Sequence, residues 1–256
     1  MYTLITGASS GIGYEFAHIF AREKYNLILV ARSQEKLLEL QKELEKTYGV
    51  TVRSIVSDLA APEAAEHIFD QVKSLNVSID ILVNNAGFGL FGEFAKTDWA
   101  REEEMIQVNI LSLTRLAKFF IPEMIEKKRG KILNVASTAA FFPGPLMAVY
   151  YATKAYVLSF SEALNSELEG TGVKVSALCP GPTASHFQQT AAADGVRTFA
   201  GSLPTAREVA EFGFKALMAG KSVAIHGMKN KLLIWFSRFL PRKTLVSQVK
   251  KIQRTR

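Results

Sequence analysis

Only one cysteine, Cys179, occurs in 256 residues, so no internal disulfide can form and the chain suits a reducing compartment. It closes an apolar strand-like run and reads as a small core residue. The four histidines, His18, His67, His186 and His226, are dispersed without the spacing of metal ligands, so no metal site is expected. No apolar stretch approaches the roughly 20 residues needed to span a bilayer. Near the C-terminus the longest such run, Leu232 to Phe236, has five residues. No basic and then apolar leader precedes Tyr2, where the first strand begins, which makes a cytoplasmic protein the expectation. Repeats and low-complexity tracts are missing too. Acid is missing locally. From Lys221 to Arg256 there are ten Lys/Arg and no Asp or Glu, against 31 and 24 in the whole chain. The body thus keeps 21 basic and 24 acidic residues, a net of −3, and the +7 of the chain comes from a tail of +10.

What is present starts with Tyr150 and Lys154, four residues apart in Val149-Tyr150-Tyr151-Ala152-Thr153-Lys154. On a helix, positions i and i+4 share a face, so phenol and ammonium can point into one cleft. A free tyrosine, with a pKa of about 10, is a poor acid or base at neutral pH, and a fixed cation nearby is expected to lower it. Such a tyrosine can pass a proton to a developing alkoxide or take one from an alcohol. Ser137, thirteen residues upstream, closes the apolar run Gly130 to Ala136, where its hydroxyl could hold the same oxygen.

The N-terminal segment runs from a short apolar strand through Thr6-Gly7-Ala8-Ser9-Ser10-Gly11-Ile12-Gly13 into an amphipathic helix carrying Phe16, Ala17, Ile19 and Phe20. Glycines let such a turn approach a pyrophosphate, which rests on the free N–H groups of the helix N-terminus. The spacing G-x-x-x-G-x-G departs from the commoner G-x-G-x-x-G. This turn and the Ser137, Tyr150, Lys154 set together resemble the short-chain dehydrogenase/reductase family in its compact single-domain form, over about residues 2 to 225.

Hydrophobic patterning agrees with one large α/β domain. Strands are expected at 26–31, 50–57, 80–83, 130–136, 173–179 and 222–225, alternating with helices at 34–48, 63–75, 99–127, 150–168 and 205–219. That alternation implies a doubly wound parallel sheet (Rossmann fold) with ligands at the C-terminal strand ends. Residues 1–227 are expected to form the catalytic domain, with a substrate lid at about 184–204, and 228–256 a basic amphipathic extension.

The resemblance places Thr6, Gly7, Ser9, Gly11, Ile12 and Gly13 on the pyrophosphate, Asp58 near the adenine amino group, and Asn84, Ala86 and Gly87 beside the adenosine. Asn84 is equally a turn-capping residue after a strand. It makes Tyr150 the proton donor or acceptor and Ser137 the partner of the substrate oxygen. Lys154 would tune the tyrosine and reach the nicotinamide ribose, and Asn109 would hold a water in a proton relay from Lys154. Thr183 and Ser185 match the segment that contacts the carboxamide. Tyr151 is only three residues from Lys154, so Tyr150 is the assigned acid.

Cofactor choice turns on Ala31-Arg32-Ser33 after the second strand. An acidic residue there would hold a ribose 2′-hydroxyl; a guanidinium suits a 2′-phosphate instead. NADP(H) is therefore expected over NAD(H), the alternative being a solvated loop arginine. Phe88, Phe91, Phe94, Phe141, Phe142, Leu146, Met147 and Phe187 fall near the expected cleft and point to a small apolar carbonyl or alcohol substrate.

The leading expectation is an NADP(H)-dependent carbonyl reductase or alcohol dehydrogenase; the alternative is a non-catalytic dinucleotide-bound regulator or scaffold. Apolar residues on several faces of the helices holding Asn109 and Tyr150 (Leu111, Leu113, Leu116, Phe119, Phe120; Val157, Leu158, Phe160, Leu164) suggest a homodimer or homotetramer. In the tail, Leu232, Trp235, Phe236, Phe239 and Leu240 recur at helical spacing beside Lys231 and Arg238, and a second amphipathic run follows Pro241. Two readings stay open: a roof over the cleft, or a peripheral membrane contact. A nucleic-acid groove fits this apolar pattern poorly.

Overall fold

The computed structural model describes residues 1–184, 187, 191 and 203–253. Seven parallel strands form one sheet in the order β3-β2-β1-β4-β5-β6-β7: β1 (Tyr2–Thr6), β2 (Asn26–Ala31), β3 (Val52–Val56), β4 (Ile79–Asn84), β5 (Gly130–Val135), β6 (Val173–Cys179) and β7 (Val223–Ile225). The strands are nearly continuous apolar runs because both faces are covered. In β2, Leu27 and Leu29 face a layer with Phe16, Phe20, Leu37 and Leu44, while Ile28 and Val30 face Ile68, Leu82 and Phe120.

The first of these layers is built by α1 (Gly11–Arg22), α2 (Gln34–Tyr48) and α7 (Ala206–Met218). The second is built by α3 (Ala64–Ser74), α4 (Trp99–Ile106), α5 (Leu113–Glu126) and α6 (Ala148–Glu167). Two tail helices, α8 (Met228–Ser237) and α9 (Arg242–Gln253), follow β7. Strand order reverses between β1 and β4, and a crevice at the carboxyl ends of strands on either side of such a point is where ligands bind in this architecture.

The sequence predicts one helix from Trp99 to Lys127, but the structure divides it. Between α4 and α5, residues Gln107–Ser112 form a π-helical turn. Two polar anchors lie within it. Asn109 is bonded to the backbone of Phe88, and the Ser112 hydroxyl donates to the Leu59 carbonyl at 2.7 Å.

The apolar faces of α5 and α6 are covered more fully by their own chain than periodicity suggests. Leu113, Leu116, Phe120, Val157 and Leu158 are buried, whereas Leu111, Ile125 and Tyr156 remain exposed.

Candidate active site

At the crevice, the turn between β1 and α1 is shaped by glycines that no other residue could replace. Gly7 and Gly11 have φ of +66° and +56°, a left-handed region costly for residues with a Cβ. A Cβ on Gly13 would stand 2.2 Å from the Gly7 carbonyl oxygen. The N-cap residue of α1, Ser10, makes no side-chain cap bond, so the first-turn N–H groups are left to an anion. Gly7, Ser9, Gly11 and Ile12 line the cleft, and Gly13 packs behind them. A cradle of this form fits a pyrophosphate.

Thr6 and Asn85 stitch the turn to the end of β4. The Thr6 hydroxyl accepts from the backbone N–H groups of Asn85 and Ala86, both at 3.0 Å, and the Asn85 amide donates to the Thr6 carbonyl at 2.9 Å. Asn85, Ala86 and Gly87 line the cleft.

Asn84, expected beside the adenosine, does not line it. Successive strand residues point to opposite faces, and this one points inward. Its amide donates to Asn134 Oδ1 at 2.9 Å, and Asn134 donates to the Ser161 hydroxyl at 2.9 Å, a polar chain buried between β4, β5 and α6. Asn84 is a residue of the core, and its neighbour Asn85, which the sequence reading passed over, is the one at the cleft.

Arg32 and Asp58 stand at the same end of the cleft, after β2 and β3. Ser33 caps α2 by accepting from the Lys36 N–H, which fixes the backbone carrying Arg32. Arg32 is exposed, and no carboxylate follows it before Glu35.

At the other end lie Ser137, Tyr150 and Lys154. Ser137 follows β5, accepts from the Ala139 N–H at 3.1 Å, donates to the Pro180 carbonyl at 3.5 Å, and lines the cleft together with Tyr150. The Lys154 ammonium donates to the Val135 carbonyl at 2.8 Å and lies 5.9 Å from the Tyr150 ring centre. Burial holds the Tyr150 phenol above its ordinary pKa, with the nearby Ser137 hydroxyl acting against it. The Lys154 ammonium is itself buried, and burial brings it down to about 8. Desolvation is the largest cause of both shifts.

Asn109 is fully buried behind this pair. A Cβ on Gly87 would meet Asn109 Oδ1 at 2.8 Å and Lys154 Nζ at 3.3 Å, so only glycine leaves the three together. The Asn109 amide donates to the Phe88 carbonyl and the Thr153 hydroxyl, both at 3.0 Å, and accepts from the Phe88 N–H at 3.2 Å. Asn109 therefore ties α6 to the loop after β4.

Thr183 lines the cleft after Pro180-Gly181-Pro182. Ser185, His186 and most of the lid expected at 184–204 lie outside the described residues.

The wall beyond Tyr150 is apolar. Phe187 sits 5.3 Å from the Tyr150 ring, centre to centre, and Met147, Phe88 and Ala139 complete that side. A Cβ on Gly89 would meet Phe187, Met147 and Tyr150 at 2.9–3.2 Å, so Gly89 is what lets this wall close up. Phe141 packs instead with Val157 and Cys179, and Phe94 is exposed.

Three lining residues had no local signal in the sequence. Arg101 and Glu104, paired on α4, face the cleft, with the Arg101 guanidinium 4.1 Å from the Phe88 ring centre. Gln253, on α9, is buried and donates to the Tyr151 hydroxyl at 2.6 Å from 102 residues away. The tail thus reaches the site. Cys179 is a buried free thiol, pushed up to about 12 by burial.

A doubly wound sheet with an anion cradle at its switch point and a Ser–Tyr–Lys cluster across the cleft defines a dinucleotide-dependent oxidoreductase architecture. The chain belongs to the short-chain dehydrogenase family, whose pattern it matches over residues 2–195. Enzymes of this family are oxidoreductases acting on CH–OH and C=O groups.

Two fungal relatives are both very-long-chain 3-oxoacyl-CoA reductases. That of Phaeosphaeria nodorum is 39% identical over 180 residues, 68% of this chain and 52% of its own length. That of Pyrenophora tritici-repentis is 34% identical over 254 residues, 93% of this chain and 72% of its own. This chain therefore spans about half of the first relative's length. Among solved structures, a short-chain dehydrogenase from Sphingobium yanoikuyae in complex with NADPH superimposes with a TM-score of 0.84. It shares 32% identity, with 93% of each chain covered.

Proposed function

We propose that this chain is an NADP(H)-dependent reductase of ketones on apolar substrates, the reverse alcohol oxidation using the same groups. The observation that carries the reading is that Ser137, Tyr150 and Lys154 together line a cleft of about 360 Å³ whose far wall is apolar. When bound, the reduced nicotinamide supplies the hydride. The chain's own residues place the carbonyl and manage its proton.

Ser137 donates to the substrate oxygen and fixes it opposite Tyr150. The phenol, kept protonated by burial, delivers its proton to the oxygen as negative charge develops there. Lys154 stabilises the tyrosinate that remains, and the ribose hydroxyls of the nicotinamide half fall to it as well. Asn109 holds α6 and the loop after β4 in register, so that Lys154 stays behind Tyr150. Ser9, Gly11 and the α1 N-terminus hold the pyrophosphate. Arg32 holds the 2′-phosphate in place of the carboxylate that would favour NAD(H), and Asp58 takes the adenine edge.

For the substrate, Phe88, Met147 and Phe187 favour an acyl chain or another flat apolar body next to the carbonyl. The reductase activity named for the fungal relatives on 3-oxoacyl thioesters supports the same class. Exposed Leu111, Ile125 and Tyr156 on α5, α6 and the π-turn support pairing of these helices in a homodimer or homotetramer.

A screen following loss of NADPH absorbance with 3-oxoacyl thioesters, medium-chain ketones, steroid ketones and aromatic aldehydes tests the reading. Turnover with at least one apolar ketone, lost in Tyr150→Phe, is expected. Cofactor binding without turnover on any of them would make the chain a dinucleotide-bound regulator instead.

A further inference from the structure

Helices α8 and α9 have two unlike faces. The inner one is closed. Ile234, Ser237 and Gln253 are buried, the Asn230 amide sits against Gly181 at the cleft, and the Lys231 ammonium lies 5.9 Å from the Phe212 ring centre. The outer one holds Leu232, Leu233, Trp235, Phe236, Phe239 and Leu240 in solvent. Trp235 is 53%, Phe236 58% and Phe239 71% exposed, with the Trp235 ring 4.9 and 5.1 Å from those two phenylalanines. A contiguous aromatic patch of this kind on a protein surface marks an interaction site.

Lys229, Arg238, Arg242 and Lys243 neighbour the patch along the chain, and no acidic residue occurs anywhere from 221 to 256. The charge decides what covers it. A second copy of this chain meeting it through the same face would set two sets of these cations against each other. A nucleic acid would match the charge but leave the Leu and Phe side chains without apolar partners. An anionic lipid surface satisfies both, with headgroup phosphates for the cations and acyl chains for the aromatic and leucine side chains.

We infer that the α8–α9 pair docks the enzyme on an anionic bilayer surface, with Trp235, Phe236 and Phe239 entering the acyl boundary. Its inner face reaches the cleft through Gln253, so docking holds the mouth of the cleft at the level where apolar substrates dissolve.

The full chain carrying Trp99→Phe leaves Trp235 as its sole tryptophan. It would be mixed with vesicles of phosphatidylcholine alone or with phosphatidylglycerol added. Sedimentation with the anionic vesicles at least tenfold above the neutral ones, with a blue-shifted Trp235 emission, is expected. Raising salt from about 0.1 to about 1 M shortens electrostatic reach from roughly 10 to 3 Å and should weaken binding severalfold. A Trp235→Glu/Phe239→Glu variant should lose vesicle binding while keeping the native circular dichroism spectrum and thermal transition, which separates this proposal from the catalytic one. Three results would overturn it: no sedimentation with anionic vesicles at low salt; native-like vesicle binding by the double variant; or a halved mass of that variant in light scattering without lipid, which makes the face a contact between copies. Retention on duplex DNA with none on vesicles would overturn it too.

Discussion

In the body of the molecule, Phe16, Phe20 and Phe120 are buried, and most of the apolar periodicity of its described strands and helices finds a matching surface in the same chain. After Gly227 the same side-chain types recur at the same helical spacing, yet Trp235, Phe236 and Phe239 stand in solvent. Charge divides the regions a few residues earlier. The body carries a slight negative excess and, among its described residues, buries one functional cation, Lys154; residues 221–256 carry ten cations and no acid. Amphipathic periodicity therefore predicts that a helix forms, but not what its apolar face meets. The partner has to be read from burial and charge together.

The sharpest way to break this comparison is at the body's proton donor. Tyr150→Phe should lower kcat by about 10³-fold or more, around the upper part of the range for lost general-acid catalysis, with NADPH affinity changed less than about twofold. A kcat within tenfold of native would move the acid elsewhere.

Next comes Lys154, the one buried cation among the body's described residues. Lys154 is lowered from 10.5 to about 8 by burial, so between those values the unfolded chain binds more protons than the folded one, and stability must rise with pH there. The penalty is fully present below about pH 8 and is gone above about 10.5. Its ceiling is about 3 kcal/mol from the size of the shift, to be lessened by relaxation of the buried site. Lys154→Met should remove this slope from chemical denaturation run at pH 7.5, 9 and 10.5. It should also abolish turnover. An unchanged slope would show that Lys154 is solvated.

Arg32→Ala tests the other end of the cleft. It should weaken NADPH binding by about 1.5–3 kcal/mol, the worth of a hydrogen bond to a charged group, while NADH affinity stays within about twofold. Equal losses for both cofactors would remove Arg32 from the 2′-phosphate.

The smallest effect lies where the two regions meet. Gln253→Ala deletes the bond to Tyr151, worth about 1 kcal/mol, and should raise KM for an apolar ketone about fivefold with kcat nearly unchanged. A fall in kcat alone would mean that the tail acts on the chemistry rather than on substrate binding.

What was legible in advance follows from what sequence spacing can encode. The sheet was readable because its strands are short, mostly apolar or alternating runs that alternate with helical patterns. The convergence of Ser137, Tyr150 and Lys154 on one cleft was readable because a strand end and an i, i+4 helix pair impose it. Other features depend on atoms distant in the chain. Which of Asn84 and Asn85 faces the cleft depends on where β4 ends, a matter of one residue. The upward shift of Tyr150 reflects burial by Met147, Phe187 and Tyr151 together, which no local motif states. Gln253 reaches Tyr151 across 102 residues. The break at Gln107–Ser112 was hidden because its residues have ordinary helical patterning, and their polar partners Leu59 and Phe88 are distant in the chain.

That π-turn bears on how the family's architecture tolerates length change. It is the trace that one surplus residue leaves when both flanking helices are held in place by packing. Were a residue deleted within 107–112, the segment could close into an uninterrupted α-helix with both flanking helices left in place, at the cost of re-phasing side chains inside the turn by about 100°. Asn109 would then swing away from Phe88 and Thr153, or Ser112 from Leu59. Length at this point is therefore coupled to the tie between α6 and the loop after β4. Single-residue insertions and deletions should be far less tolerated here than in the exposed turns at Gly49 or Gly170, where a side chain would meet nothing.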